Sequence, residues 1–203
     1  MLSAQDLFQE MTVSCGTTGR RPLREGQPLN ICWVVSFTMK DKDSKSGPCC
    51  PRFNPDLWEG KTSDWGDRLF IKDTIRQFLH RPLPSSMGKA VGRMWKEAKN
   101  SGAAPAIEDF LLLSYDPSPW KSELFMTVTK EVPGVENVQL PGTYISKVFD
   151  GPYNSPPKWI KVMETYVASK GKKSKKFLFY FTTCPRCAKI YGHNYAVVFA
   201  QVD

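Results

Sequence analysis

The stretch Gly142-Thr143-Tyr144-Ile145-Ser146-Lys147-Val148-Phe149-Asp150-Gly151-Pro152-Tyr153 decides how this chain is read. A glycine opens it, Thr143 to Phe149 is rich in the β-branched and aromatic residues of a strand, and Gly151-Pro152 breaks that strand. Asn154-Ser155-Pro156-Pro157 then supplies the signals that open a helix. In that helix Trp159, Ile160, Met163, Tyr166 and Val167 share a face until Gly171 ends it. Phe177 to Thr183 and Tyr195 to Val202 read as two more strands, so the order is strand, helix, strand, strand.

The same order precedes it. Leu69 to Leu79 is strand-like, Pro82 to Ser86 opens a helix, and Met87, Ala90, Val91, Met94, Trp95 and Ala98 form one apolar stripe before Gly102. Phe110 to Tyr115 is a second strand, Asp116-Pro117-Ser118-Pro119 is turn chemistry, and Glu123 to Lys130 is a third strand. The period is about 65 residues, too long for a solenoid and suited to two halves that share one sheet system. The expected fold class is α+β, a tandem β-α-β-β repeat with antiparallel sheets. Repeat 1 is placed at about 64–134 and repeat 2 at about 135–203.

Composition sets the class. Of 203 residues 41% are hydrophobic and 12% aromatic, which supports a sizeable core and excludes wholesale disorder or a small disulfide scaffold. No apolar run approaches the roughly 18 to 20 residues of a bilayer span, and the run Leu29 to Phe37 lacks a secretory cleavage site, so no membrane partner is expected and the expected location is cytoplasmic. The net charge of +8 is concentrated in the run Lys170 to Lys176, read as a solvated connection between a helix and a strand. No recognised nucleic-acid module surrounds it, and a nucleic-acid partner is not expected. Residues 1–38 lack periodicity and are expected to be a disordered leader or an upstream mis-start; residues 39–63 form an N-terminal extension carrying Cys49-Cys50-Pro51.

With Gly142-Thr143-Tyr144 and Phe149-Asp150-Gly151-Pro152-Tyr153 in this repeat order, residues 64–203 resemble the gyrase-inhibitor-like (GyrI-like) small-molecule-binding superfamily. That superfamily also supplies the effector-binding domains of multidrug-sensing transcription regulators. Cys49-Cys50-Pro51 and Thr182-Thr183-Cys184-Pro185-Arg186-Cys187-Ala188 look like its stand-alone branch. The resemblance implies two pseudo-twofold halves, helices on one face, and a ligand cleft on the other face at their junction. No DNA-binding domain accompanies it, so regulation of transcription is not expected.

Alternation along Glu123 to Thr129 fits that arrangement. Leu124, Met126 and Val128 have the parity to face the helices, while Glu123, Phe125 and Thr127 point the other way. A carboxylate beside aromatic rings suits a flat hydrophobic ligand, above all a cationic one. Glu123 matches the acidic residue that the family's pockets use to hold a ligand or, in members resembling hydrolases of strained cyclopropane compounds, to help activate water. General-base work would need its pKa raised by apolar surroundings. Tyr115, Phe149 and Tyr180 are candidates to line the cleft and Tyr153 to cap it. Trp95 and Trp159 read as core, whereas Trp58, Trp65 and Trp120 must either cover the core or wait for a ligand. The first reading is therefore a binding protein for a hydrophobic or cationic aromatic small molecule. The alternative is a hydrolase of reactive electrophilic small molecules on the same cleft, with a second polar group from Tyr180, Tyr153 or Asn194 facing Glu123.

Cys184-Pro185-Arg186-Cys187 lies between two strands and reads as a hairpin knuckle that aims two thiolates at one metal ion. Cys49 and Cys50 are the candidates to complete a zinc site, although adjacent cysteines do not easily chelate one ion; His193 is the substitute. Redox or disulfide chemistry is the alternative, and inert thiols the third reading, since no thioredoxin-like strand-helix arrangement is expected around the pair. The chain has two histidines and no nucleophile elbow, phosphate-cradling loop or His-Glu-x-x-His, which argues against serine-triad, nucleotide and zincin chemistry.

Overall fold

Alternate residues of the long strands join one or the other of two cores, one on each face of the sheet, and this alternation sorts the protein into layers. A computed structural model describes residues 47, 48, 50–83 and 85–203. The leader 1–38, with Cys15 and Cys32, and Cys49 lie outside the described residues. The elements are β1 (Thr62–Asp64), β2 (Leu69–Phe78), β3 (Arg81–Pro82), α1 (Ser86–Asn100), β4 (Leu112–Ser118) and β5 (Lys121–Thr127), then β6 (Glu136–Gln139), β7 (Thr143–Asp150), α2 (Pro156–Ser169), β8 (Ser174–Phe181), α3 (Pro185–Tyr191) and β9 (Tyr195–Val202).

One antiparallel sheet runs β1-β7-β9-β8-β4-β5-β2-β3, with β6 also on β2. In the first half β5 is central between β2 and β4, and in the second β9 is central between β7 and β8, so β2-α1-β4-β5 and β7-α2-β8-β9 are the same unit twice. The halves meet where β4 and β8 pair at Ser114 and Phe179 alone. This narrow seam contrasts with the eight register pairs of β7 on β9.

Both long helices pack on one face. Ala90, Met94 and Ala98 of α1 bury against Ile71, Ile75, Leu124 and Met126, and Trp159, Met163 and Val167 of α2 against Ile145, Ala196, Val198 and Ala200. These are the stripes that the sequence spacing marked. Proline at the start of α2 and left-handed Gly102 and Gly171 beyond α1 and α2 set the helix limits. Residues of the opposite parity, Phe70, Leu113, Phe125, Leu178, Val197 and Phe199, form a separate core on the other face. The α+β class with helices on one side of a curved antiparallel sheet is thus the observed fold.

Three details differ from the sequence reading. β4 continues through Asp116-Pro117-Ser118 with a bulge after Tyr115, and the turn is displaced to Pro119-Trp120. The segment after β8 is helix α3 and not a bare hairpin tip. Finally, β1 and β6 are short edge strands whose lengths gave no periodic signal.

Candidate functional site

The face opposite the helices divides in two. Over the second half it is filled by the chain's own N-terminal extension and the residues that directly follow it: the Trp65 ring stacks on Tyr144 at 4.1 Å and meets Phe199 edge-on at 4.8 Å, and Trp58 meets Phe199 at 5.7 Å. Trp65 is 3% exposed, so it covers the core and does not wait for a ligand. The extension is tied along β7. Trp65 N–H donates to Gly142 O at 3.1 Å, Ser146 Oγ donates to Trp58 O at 2.6 Å, and the Glu59 carboxylate takes Val148 N–H at 2.7 Å and Lys147 Nζ at 2.5 Å.

Over the first half the same face carries polar groups. Tyr115, Glu123 and Thr74 stand opposite one another on adjacent strands, so their side chains share this face. The Glu123 carboxylate contacts Lys121 Nζ at 2.8 Å and Lys72 Nζ at 3.5 Å, and Lys72 also reaches Glu136 at 3.1 Å. From across the seam Lys176 of β8 sets its ammonium 4.1 Å from the Tyr115 ring centroid and 5.1 Å from that of Phe125. Burial pushes the Glu123 carboxyl up, but the Lys121 hydrogen bond and the charges of Lys72 and Lys121 outweigh it and hold the group below its ordinary value. Burial pushes the Lys176 ammonium down, against the attraction of Glu123.

The sequence-derived candidates therefore separate. Glu123, Tyr115 and Phe125 share one neighbourhood, and Tyr180 lies on the same face against Trp58, at 6.1 Å. Phe149 does not join them: it stacks on Trp159 at 5.6 Å, on the helix side, because its parity is that of Ile145 and not of Tyr144. Tyr153 donates to Thr183 O at 2.9 Å and packs on Phe181, so it caps the junction of α2 with β8 and not the face of Glu123. Asn194 is engaged with Gly151 O at 2.5 Å, which leaves Tyr180 as the remaining member of the three proposed polar partners. The raised carboxyl pKa expected for a general base is replaced by a lowered one, owing to the two lysines that sequence reasoning passed over. Lys176, read as part of a solvated run, is half-buried on aromatic rings; its place on β8, in step with Leu178 and Tyr180, was the available signal.

A second group lies at the extension's start. The Sγ atoms of Cys50, Cys184 and Cys187 are all within 4.8 Å of one another. Cys184 is the N-cap of α3 and Cys187 lies in its first turn, so a short helix and not a bare hairpin tip carries the pair between the antiparallel strands β8 and β9. His193 is elsewhere, bonded through Nδ1 to Asp150 at 2.6 Å and stacked on Tyr195. A depression of about 570 Å³ lies between residues 64–69 and the end of β5 at Thr127–Thr129; Glu123, Tyr115 and Tyr180 are not among its lining residues.

Residues 39–202 match the sequence model of a family described as bacterial hydrolase. The chain belongs to the bacterial hydrolase family. Among solved structures it is similar to the C-terminal domain of EcmrR, with a TM-score of 0.54, 14% identity, and coverage of 72% of this chain and 98% of that one. It is also similar to an uncharacterized conserved protein from Listeria innocua, at a TM-score of 0.54, 12% identity and 71% and 92% coverage of the two chains. A protein described as a hydrolase, also from Listeria innocua, aligns at a TM-score of 0.53 with 12% identity and the same 71% and 92% coverage. At such identities the likeness is one of fold, and the fold of this family member is GyrI-like. No curated protein matches the sequence. Among the described residues no helix is long and apolar enough to cross a membrane.

Proposed function

We propose that this family member binds a hydrophobic, aromatic small molecule, preferentially a cation, on the open half of the face opposite the helices, beside the β4–β8 seam. The observation that carries the reading is the seat of Lys176: the chain's own ammonium already rests on the Tyr115 and Phe125 rings, beside the Glu123 carboxylate. Rings plus a nearby acid are what an aromatic cation requires, the rings removing water and the acid supplying charge. Because Lys72 and Lys121 already share the Glu123 charge, the ligand gains its place by displacing Lys176 and not by finding a bare carboxylate. Tyr180 supplies the hydroxyl at the border with the covered half.

The family description favours a second reading, hydrolysis of a reactive electrophile held in the same place. A carboxylate kept ionised by two lysines is a weak base. In that reading Glu123 orients water and stabilises positive charge that develops on the electrophile, and the lysines neutralise the leaving oxygen.

Two measurements on the full chain test these readings. Ethidium, an aromatic cation, should bind the wild type and lose affinity in Tyr115→Ala and Glu123→Gln, and equal affinity in all three would remove the binding reading. Styrene oxide, an aromatic electrophile, should be converted to its diol by the wild type and not by Glu123→Gln if the second reading holds; equal rates in both would sink it.

A further inference from the structure

We propose that Cys50, Cys184 and Cys187 form a thiolate site for one zinc-class divalent ion, which cross-links the N-terminal extension to the β8–α3 junction. The site stands on its own observations and does not depend on the ligand reading. Three sulfurs from positions 134 and 137 residues apart converge within 4.8 Å of one another. Zinc–sulfur bonds of about 2.3 Å in a tetrahedron put sulfurs about 3.8 Å apart, so small side-chain rotations bring all three to one ion. A disulfide would use two of the three and leave the third beside it.

The backbone supports the sulfurs as ligands. Cys184 N–H points at Cys50 Sγ at 3.3 Å, and Cys50 N–H at Cys187 Sγ at 3.2 Å, so two sulfurs each accept a main-chain donor. Such bonds orient a thiolate and stabilise its charge, as outer-shell partners of metal ligands do. The Tyr191 hydroxyl donates to Cys50 O, fixing the loop that presents the first ligand, and the Arg52 guanidinium lies over the Tyr191 ring at 5.1 Å. Cys187 is fully buried and the other two are half-buried, so three thiolates hold the ion and its fourth tetrahedral position is left to a further ligand or water. Binding releases one proton from each thiol to solvent and involves no electron transfer.

Its consequence is mechanical. Cys50 lies eight residues before Trp58, whose ring covers the second half of the sheet face, and an ion at Cys50 anchors that cover. The test uses the whole chain, purified under reducing conditions. Native mass spectrometry with elemental analysis should find one zinc per chain, and cobalt(II) exchanged into the site should show the intense visible bands of a tetrahedral thiolate centre. Cys187→Ser and Cys184→Ser should each abolish retained zinc, and chelation of the wild type should expose residues 50–65 to protease. Should either variant fail to fold, the cobalt spectrum and stoichiometry of the wild type still decide. A reduced wild type that retains no zinc and gives no thiolate–cobalt bands overturns the proposal, as does a metal-free mass two units light from a stable disulfide.

Discussion

The Lys176 ammonium lies 4.1 Å from the centre of the Tyr115 ring, across the seam where the two repeats meet. The second repeat thus lends its own cation to the aromatic floor of the first. Burial penalises that charge, so the cost is fully present at pH below the lowered pKa of the group and fades as pH rises through it toward the ordinary lysine value. Lys176→Met removes both the cost and the occupant. Ethidium affinity should rise about tenfold, equivalent to about 1.4 kcal/mol, and a titration showing no gain would mean that the ammonium does not hold the ligand's place.

Glu123 makes an opposite demand on pH. Its folded pKa is held below the ordinary value, so its ion pairs contribute stability above the unfolded carboxyl pKa and lose it as pH falls through the folded one. Denaturant titrations from about pH 6 down to about pH 3 should show a steeper loss in the wild type than in Glu123→Gln. Parallel slopes would assign the acid sensitivity to other paired carboxylates, such as Asp150 beside His193.

Trp65→Ala should cost about 3 to 5 kcal/mol, because it empties a site enclosed by Phe70, Tyr144 and Phe199. Trp58→Ala, at a half-buried ring, should cost less and increase binding of an apolar dye such as anilinonaphthalene sulfonate. Unchanged dye binding in a folded Trp58→Ala protein would show that the extension does not screen this face.

Gly142 adopts φ +116°, and a Cβ there would come within 3.2 Å of Gln201 Nε2. That conformation aims Gly142 O at Trp65 N–H. Gly142→Ala should therefore lower stability by about 1 to 3 kcal/mol, measured by thermal or denaturant unfolding, and stability equal to wild type would show that the turn relaxes freely.

Much of this was legible because it depends on local periodicity. The α1 stripe from Met87 to Ala98 and the alternation of Leu124 and Met126 against Phe125 are written at fixed spacings, and the repeat order follows from them. Glu123 and Tyr115 could be named from strand position and resemblance. What surrounds them was legible only in part: Lys121 stands two residues before Glu123 on the same face of β5, whereas Lys72 and Lys176 reach Glu123 and Tyr115 from two other strands through pairings that no spacing encodes. Phe149 has the parity of Ile145, which places it under α2, although its position at the end of β7 suggests the cleft. The role of Trp58 and Trp65 was hidden for a different reason: a short edge strand and side-chain bonds from Glu59 and Ser146 fix the extension, and neither leaves a pattern in a sequence. The helix α3 begins at Pro185, directly after Cys184, and proline at the first helical position is its start signal in the sequence.

The most direct measurement is nuclear magnetic resonance mapping of the isotopically labelled full chain during titration with ethidium. The account predicts the largest shifts at Tyr115, Glu123, Phe125 and Lys176, with the Lys176 side chain released from the ring current of Tyr115. Shifts centred instead on the depression around Asp109 and Thr127–Thr129, or scattered over the surface without saturation, would contradict it.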